Sequence, residues 1–382
     1  MSTVAPSIRE EAAERFRELG WPTTRQEEWK YTNVAPIAKI DWRAGGLKPA
    51  ATLVSGKARI VPIGEVRPAE LAQYFGRLAD WQRNAFVALN TANAQDGAFI
   101  VVDPGAEATV RLSFEGEGDD AASHPHNVIV AGRGSQLSIV ESYSGRGRYF
   151  TNSVTELFAG EGSVIDHYKL ECESKEAFHV GTMHVRQERS SNVTSHSIAL
   201  GGALVRNDVN VALAGEGATL TLDGLFVVNG NQHIDNHTLI DHIAPHCESH
   251  ELYKGILDDH GRGIFDGRII VRPNAQKTVS RQENRNLLLS ETAIVDSKPT
   301  LEIHNDDVKC NHGSTIGQLE EEPMFYLRSR GIGEEEARNL LVYAFAAQIV
   351  ERMKLAEVRE EVGRALFEQM PGRLPERRET LR

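Results

Sequence analysis

Apolar residues recur at different spacings along the chain, and each spacing predicts a different kind of structure. In the first stretch, residues 1–97, they fall at helical intervals after a capping box formed by Ser7 and Glu10, and Gly20 ends this run. The apolar positions of this first helix are Ile8, Ala12, Phe16 and Leu19. A second helical pattern extends from Pro68 to Leu89. We therefore predict a mostly helical N-terminal region over residues 1–97.

A repeat dominates residues 98–310, where short β-branched runs are separated by Gly, Asn and Asp. Three glycine-bearing turns lead directly into apolar strands: AGRGSQL from Ala131, AGEGSVI from Ala159 and AGEGATL from Ala214. Turn-like segments in the same phase begin at Asp103, Glu188, Ala244 and Arg272, so that seven turns recur about every 28 residues. A fixed period without a helical pattern inside it favours a β-solenoid, in which each coil stacks on the next. An antiparallel sandwich with evenly spaced turns is the alternative.

Helical spacing returns in the last stretch, residues 311–382, where three acidic residues from Glu334 mark a helix start. The apolar positions that follow are Ala337, Leu340, Leu341, Ala344, Phe345, Ile349 and Met353, and then Val358, Val362, Ala365, Leu366 and Met370. This wide apolar stripe either caps the last coil of the solenoid or presents a face to a partner protein. Both interpretations stay open at this point.

Composition narrows the range of functions. The chain has 42 Lys and Arg against 54 Asp and Glu, and a net charge of -12 disfavours nucleic acid and anionic membranes as partners. No run approaches the ~18 apolar residues of a membrane span, and the acidic start lacks a signal or transit pattern, so we expect a cytoplasmic protein. Three scattered cysteines, Cys172, Cys247 and Cys310, cannot form a disulfide framework.

Familiar catalytic motifs are missing from the sequence. It contains no GxxxxGK[ST] phosphate loop, no nucleophile elbow and no HExxH, which favours a binding or scaffold role over an enzyme. Histidines crowd around Cys247: His233, His237, His242, His246, His250 and His260. These residue types permit a metal site, but their spacing is not diagnostic, and hydrogen-bonded histidines inside a solenoid are the favoured interpretation.

Cys310 and His312 form a sharper candidate site. One residue separates them, so an extended strand turns both side chains to the same side. A thiol and an imidazole placed in this way can reach one iron or one persulfide sulfur. A buried cysteine next to a hydrogen-bonded histidine is the alternative.

Several long motifs, in order along almost the whole chain, resemble the SufB/SufD family of iron–sulfur cluster assembly scaffolds. They are EEWKYT from Glu27, residues 88–102, LYKGILDDHGRGIFDGRIIV from Leu252, AQKT from Ala275, QENRNLLLS from Gln282, PTLEIHNDDVKCNHGST from Pro299 and FYLRSRGI from Phe325. Within the family, CNHG and FYLRSRGI are similar to the SufD branch rather than the SufB branch. Asn311 and Ser314 depart mildly from the Ser and Ala that are common there.

The resemblance implies a right-handed parallel β-helix, mainly β in class, flanked by N-terminal and C-terminal helical regions. It also implies that the protein pairs with a SufB-like subunit through the β-helix and docks a SufC-like ABC ATPase through its C-terminal helices. His312 would be a candidate iron ligand, with Cys310 beside the nascent cluster. The docking residues would be Phe325, Tyr326, Leu327, Arg328, Arg330, Leu340, Leu341 and Phe345.

The expected protein is thus a scaffold and not an enzyme, with no tightly bound cofactor and only a transient iron–sulfur cluster in the complex. Whether the isolated chain forms a homodimer stays open. A β-helical enzyme acting on polysaccharide is one alternative, for which Asp306 and Asp307 are the nearest carboxylate pair, although neighbouring strand residues point to opposite sides. A structural solenoid without metal is the other.

Overall fold

The computed structural model describes residues 7–369, which form a parallel β-solenoid of eight coils with helices at both ends. The helices are α1 (Ile8–Leu19), α2 (Ala35–Ala38), α3 (Pro68–Leu71), α4 (Ala85–Asn93), α5 (Glu321–Ser329), α6 (Glu334–Val350) and α7 (Ala356–Gln369), with 3₁₀ turns at Glu27–Trp29 and Ile63–Glu65. The strands before the regular coils are β1 (Arg43–Ala44), β2 (Leu47–Gly56) and β3 (Arg59–Pro62).

The coils contribute strands alternately to two facing sheets. The strands of the first sheet are β4 (Ala98–Val102), β6 (Ala121–Ser123), β7 (His126–Ala131), β9 (Tyr149–Ala159), β11 (Phe178–Gln187), β13 (Leu204–Leu213), β15 (His233–His242), β17 (Arg262–Val271) and β19 (Ile294–Ile303), with β1 and β3 added. Those of the second sheet are β5 (Glu107–Glu117), β8 (Gln136–Arg146), β10 (Val164–Cys172), β12 (Asn192–Ala199), β14 (Thr219–Val228), β16 (Glu248–Leu257), β18 (Val279–Leu288) and β20 (Lys309–Gly317), with β2 added.

The register confirms the period seen in the sequence. Val164 pairs with Gln136 of the preceding coil and Asn192 of the next, each 28 positions away along the chain. The regular coils pair in parallel, so the antiparallel sandwich is excluded. Apolar side chains of both sheets meet inside the solenoid and form a continuous core, with Ile139 and Leu157 among its fully buried members.

The glycine turns are the corners that lead from the first sheet to the second. Gly134 and Gly162 have left-handed backbones, with φ of 64° and 66°, and the Gly134 N–H donates to the Glu161 carbonyl of the next coil at 2.8 Å. The first glycine of each AGxG turn allows neighbouring coils to approach closely. A Cβ at Gly160, for example, would lie only 2.7 Å from the Ala131 carbonyl oxygen. The AGxG pattern therefore satisfies both the turn conformation and the close approach of stacked coils.

The N-terminal region covers the outer face of the first sheet. Its Trp29 and Phe86 pack with Phe150 and Phe178 in one buried cluster. The Arg206 guanidinium lies 3.9 Å from the centre of the Trp29 ring and so fixes the EEWKYT segment to the solenoid. The capping box and the Gly20 end of α1 are as predicted.

Helices do not account for all of residues 1–97, however. The strands β2 and β3 run antiparallel to β5 and β4 and close the first coil, because they pair with strand edges that would otherwise be open. The helical pattern from Pro68 to Leu89 is likewise divided into the short α3 and the later α4.

The C-terminal helices α6 and α7 lie on the outer face of the second sheet. Buried residues of the helices, including Ile349 and Leu366, pack with Leu170 and Leu225 of the strands. The solenoid does not end at residue 310, since β20 continues to Gly317 and the helices begin only at Glu321. Met370 lies outside the described residues. None of the helices within residues 7–369 combines the length and apolar character needed to cross a bilayer.

Candidate functional site

The last coil of the solenoid is uncovered, in contrast to the first. Strand β20 ends the second sheet, and within residues 7–369 its outer edge pairs with no further strand. Three large apolar side chains of this coil are exposed, namely Ile294, Ile303 and Ile316. An open strand edge with exposed isoleucines is typical of a surface that another protein covers.

Cys310 and His312 lie on this edge strand. Cys310 pairs with Ser280 and His312 with Gln282 across the ladder between β18 and β20. Cys310 packs against the interior core, and strand alternation puts His312 on the same inward face. The two residues are nevertheless unequal, because Cys310 is half-buried whereas His312 is exposed at the mouth of the solenoid.

Burial raises the pKa of the Cys310 thiol and outweighs a backbone hydrogen bond from Ser280 that lowers it. The side chain is therefore a protonated thiol at neutral pH rather than a reactive thiolate. His312 is exposed, so its imidazole ring is open to contact from outside the solenoid. Of the two, His312 is the better placed to meet a group that arrives from outside.

Polar side chains line the mouth of the solenoid. The Ser314 hydroxyl donates to the Ser297 hydroxyl at 2.8 Å, and the Ser297 hydroxyl donates to the side-chain Oδ1 atom of Asn284 at 2.7 Å. Asn286 donates to the same Asn284 oxygen at 2.6 Å. A row of hydrogen-bonded side chains thus bridges the two sheets beside His312.

An open cleft of about 630 Å³ lies at the same edge, and His312, Arg281, Glu283 and Arg285 are among the residues that line it. Burial would raise the pKa of Glu283, but hydrogen bonds and charge from the two flanking arginines hold it below the ordinary value. Two guanidinium groups around one carboxylate give the cleft a net positive charge.

A buried ionic group that the sequence analysis missed lies deeper in the interior. Glu171, Glu173 and His179 form the one group of metal-ligating side chains found within residues 7–369, with ligand atoms within 4.8 Å of one another. The Lys169 ammonium lies 2.9 Å from a Glu171 oxygen and 3.1 Å from the His179 Nε2 atom. Since a lysine ammonium already serves as the cation, the arrangement fits an internal ion pair better than a metal site.

Burial shifts the pKa values of this group in opposite directions. It raises the pKa of Glu173 to about 8 and lowers that of His179 to about 3, with the Lys169 charge adding to the second shift. Lys169, Glu171 and Glu173 alternate along one stretch, and this alternation is the sequence signal that could have placed them together inside the solenoid.

The histidines around Cys247 are dispersed over separate hydrogen bonds. His242 bonds with Ser249 at 2.9 Å, His250 with Glu248 at 2.7 Å, and His246 is a turn residue with φ of 60°. The Cys247 thiol donates to a backbone carbonyl at Gly215. The favoured interpretation of hydrogen-bonded solenoid histidines therefore agrees with the structure.

The eight proposed docking residues divide into two groups. On α5, Phe325 and Tyr326 are 74% and 57% exposed, Leu327 is half-buried and Arg328 is exposed. Arg330, which follows the last residue of α5, is also exposed. On α6, Leu340, Leu341 and Phe345 are half-buried, and the Phe345 ring lies under the Lys254 ammonium, 3.8 Å from it, on the solenoid side. The α5 group is the freer of the two surfaces.

Comparison with known proteins agrees with this architecture. The family model for the SufBD core domain of the SUF system of FeS cluster assembly matches residues 113–345, and that for the SufBD protein N-terminal region matches residues 1–53 and 60–112. The iron-sulfur cluster assembly protein SufD of Escherichia coli is 31% identical over an alignment that covers 92% of this chain and 90% of that protein. The iron-sulfur cluster assembly SufBD family protein slr0076 of Synechocystis is 31% identical over 92% of this chain and 88% of its own length. SufD of Bacillus subtilis is 29% identical over 72% of this chain and 64% of its own length.

Proposed function

Because the chain belongs to the SufBD family of iron–sulfur cluster assembly proteins, we propose that it is the SufD-like scaffold subunit of a SufBCD-type complex. In this proposal the chain has no enzymatic activity of its own. The relatives named above are assembly proteins, which supports that role. The acidic composition and the scarcity of cysteines favour action in the cytoplasm.

The open last coil is the observation that carries the proposal. A SufB-like subunit covers it and pairs with the free edge of β20, and this burial removes the exposed Ile294, Ile303 and Ile316 from water. His312 then lies at the interface and offers an imidazole nitrogen to the iron of a nascent cluster. The remaining ligands come from the partner subunit, because the edge strand β20 contains no cysteine, histidine or carboxylate other than Cys310 and His312.

A SufC-like ABC ATPase docks on α5. The exposed aromatic pair Phe325 and Tyr326, with Arg330 5.2 Å above the Tyr326 ring, has the aromatic and arginine character of an interface centre. The chain has no phosphate-binding loop, so ATP hydrolysis belongs to this partner. The iron–sulfur cluster is cargo that the complex passes on, and we assign no resident cofactor to this chain.

Co-purification tests the proposal. The tagged chain is expressed with the SufB-like and SufC-like proteins of the same genome, and the subunits that elute with it are identified. We expect both partners to elute with the wild-type chain. With Ile316→Lys we expect the SufB-like subunit to be lost, because the substitution puts a charge in the proposed apolar contact. Ile316 is 52% exposed in this chain, so its replacement does not disturb the core. Retention of neither partner by the wild-type chain would contradict the proposal.

A further inference from the structure

Gln282 is a buried amide directly beside the exposed His312. The two residues are paired across the last rung of the second sheet, where neighbouring strands are about 4.8 Å apart. Gln282 is fully buried, and its neighbour in the preceding coil is the buried Glu251. The row Glu251, Gln282 and His312 therefore leads from the interior to the mouth.

The orientation of the Gln282 amide is fixed. Its Nε2 atom donates to a Glu251 carboxylate oxygen at 2.6 Å. The side chain extends across the interior to the opposite sheet, where a Cβ on Gly267 would lie only 2.3 Å from that Nε2 atom. A glycine at position 267 thus leaves the space in which the amide is held.

The Gln282 Oε1 atom is left without a hydrogen-bond partner among residues 7–369. A buried acceptor without a partner costs roughly 1–3 kcal/mol, so a donor within reach is favoured to approach it. The imidazole of His312 is the cross-strand neighbour of this amide, and it forms no hydrogen bond with the described part of the chain. Because the imidazole is exposed and has no such partner, its side-chain torsions are free to turn a ring N–H toward Gln282.

We propose that Gln282, held by Glu251, is a positioning residue for His312: its Oε1 atom accepts one ring N–H and leaves the other ring nitrogen as an outward lone pair. Metal-binding histidines commonly donate their second N–H to a fixed acceptor, which sets the tautomer and the ring orientation. The inference rests on the proposed role of His312 as an iron ligand. It adds the group that prepares His312 for that role.

Nitrogen NMR of the full-length chain with labelled histidine tests the arrangement, with the His312 signals assigned by their loss in His312→Gln. We expect one dominant ring tautomer in the wild-type chain and a mixture close to that of free imidazole in Gln282→Leu. Gln282→Glu keeps an acceptor and should preserve the single tautomer. Should Gln282→Leu not fold, Gln282→Asn keeps the amide but shortens it, and we expect the same mixture.

Gln187→Leu is the matched control. Gln187 is also fully buried, its Nε2 atom donates to the Thr219 carbonyl at 2.9 Å and its Oε1 atom has no partner among residues 7–369, but it lies in a coil remote from His312. This control should leave the His312 tautomer unchanged. An equal tautomer mixture in the wild-type chain and in Gln282→Leu, or an equal effect of Gln187→Leu, would overturn the inference.

A second readout separates this inference from the proposed function. In the complex with both partners, Gln282→Leu should raise the iron concentration needed for half-maximal cluster formation about 10-fold. If His312→Gln leaves cluster formation unchanged while the NMR result holds, Gln282 still positions His312 but the ligand role is wrong. If the NMR result fails while His312→Gln abolishes cluster formation, the positioning role is wrong and the proposed function stands.

Discussion

Arg352 reaches from the C-terminal segment to the buried carboxylate of Asp223, with its Nη1 atom 3.0 Å from the Asp223 Oδ1 atom. Asp223 lies in β14 with only 1% of its side chain exposed, and burial raises its pKa to about 6 despite the Arg352 charge. This pair connects the segment between α6 and α7 to the outer face of the second sheet. The helices are therefore held by charge as well as by apolar packing.

Replacement of Arg352 with Met should destabilise the protein by about 2 kcal/mol, because it leaves the buried Asp223 without its cation. The unfolding free energy measured in urea at pH 8 checks this value. The control is Arg133→Met, since Arg133 forms a 3.9 Å pair with Glu161 on the surface and its loss should cost less than about 0.5 kcal/mol.

Adding Asp223→Asn to Arg352→Met removes the uncompensated charge and should restore most of the lost stability. A double variant as unstable as Arg352→Met would show that the loss arises from the packing of the arginine stem instead.

Glu173→Gln should change how stability depends on pH. The folded-state pKa of Glu173 is raised to about 8 from 4.5, so between these values the folded chain holds a proton that the unfolded chain has lost. Stability from this group therefore falls as pH rises through that window. The glutamine side chain resembles the protonated acid. The unfolding free energy of the variant should therefore equal that of the wild type near pH 4.5 and exceed it by on the order of 2–4 kcal/mol at pH 9.

The exposed Glu176 supplies the control for this pH effect. Glu176→Gln should shift the unfolding free energy little and give a pH profile parallel to that of the wild type. Parallel profiles for Glu173→Gln and wild type would mean that Glu173 is ionised in the folded state.

The solenoid was predictable because its signals are local. The glycine pairs at residues 132–134 and 160–162 specify corner after corner, so the period could be read without knowledge of the pairing. The strands β2 and β3 could not be predicted in the same way, since they form on the edges of strands distant in sequence.

The candidate site also has some features that follow from local sequence and others that depend on how the coils stack. Cys310 and His312 were visible as neighbours within one strand and as part of a family motif. The contact of Lys169 with Asn207 and the pairing of Gln282 with His312 depend on which coil stacks on which, and the exact register is a property of the folded solenoid. The ligand candidates could therefore be located from the sequence of one strand, whereas the buried groups behind them could not.

Phe325→Ala with Tyr326→Ala should release the SufC-like ATPase from the purified complex while the SufB-like subunit stays bound. Both side chains are mostly exposed, so the unfolding free energy of the chain should change by less than about 1 kcal/mol. The matched control is Leu53→Ala with Val54→Ala, an exposed apolar pair on β2 at the far end of the solenoid. Equal ATPase retention by the two double variants would contradict docking on α5.

Two glycine substitutions should lower the stability of the folded chain by different amounts. A methyl group at Gly267 would lie 2.3 Å from the Gln282 amide nitrogen, so Gly267→Ala should destabilise the chain by about 1–3 kcal/mol. Gly313 has open space at the corresponding position, and Gly313→Ala should be nearly neutral. Thermal unfolding of both variants checks the difference, and similar melting temperatures would contradict the tight fit around Gln282.

The amount of cluster formed on the assembled complex tests whether His312 is an iron ligand. Iron and acid-labile sulfide are measured per complex after reconstitution with the wild-type chain, with His312→Gln and with His304→Gln, which alters an exposed histidine at the turn of the same coil. We expect the cluster content to fall at least about 10-fold with His312→Gln and to stay at the wild-type level with His304→Gln. Equal cluster content in all three complexes would contradict the claim that the open end of this solenoid supplies an iron ligand.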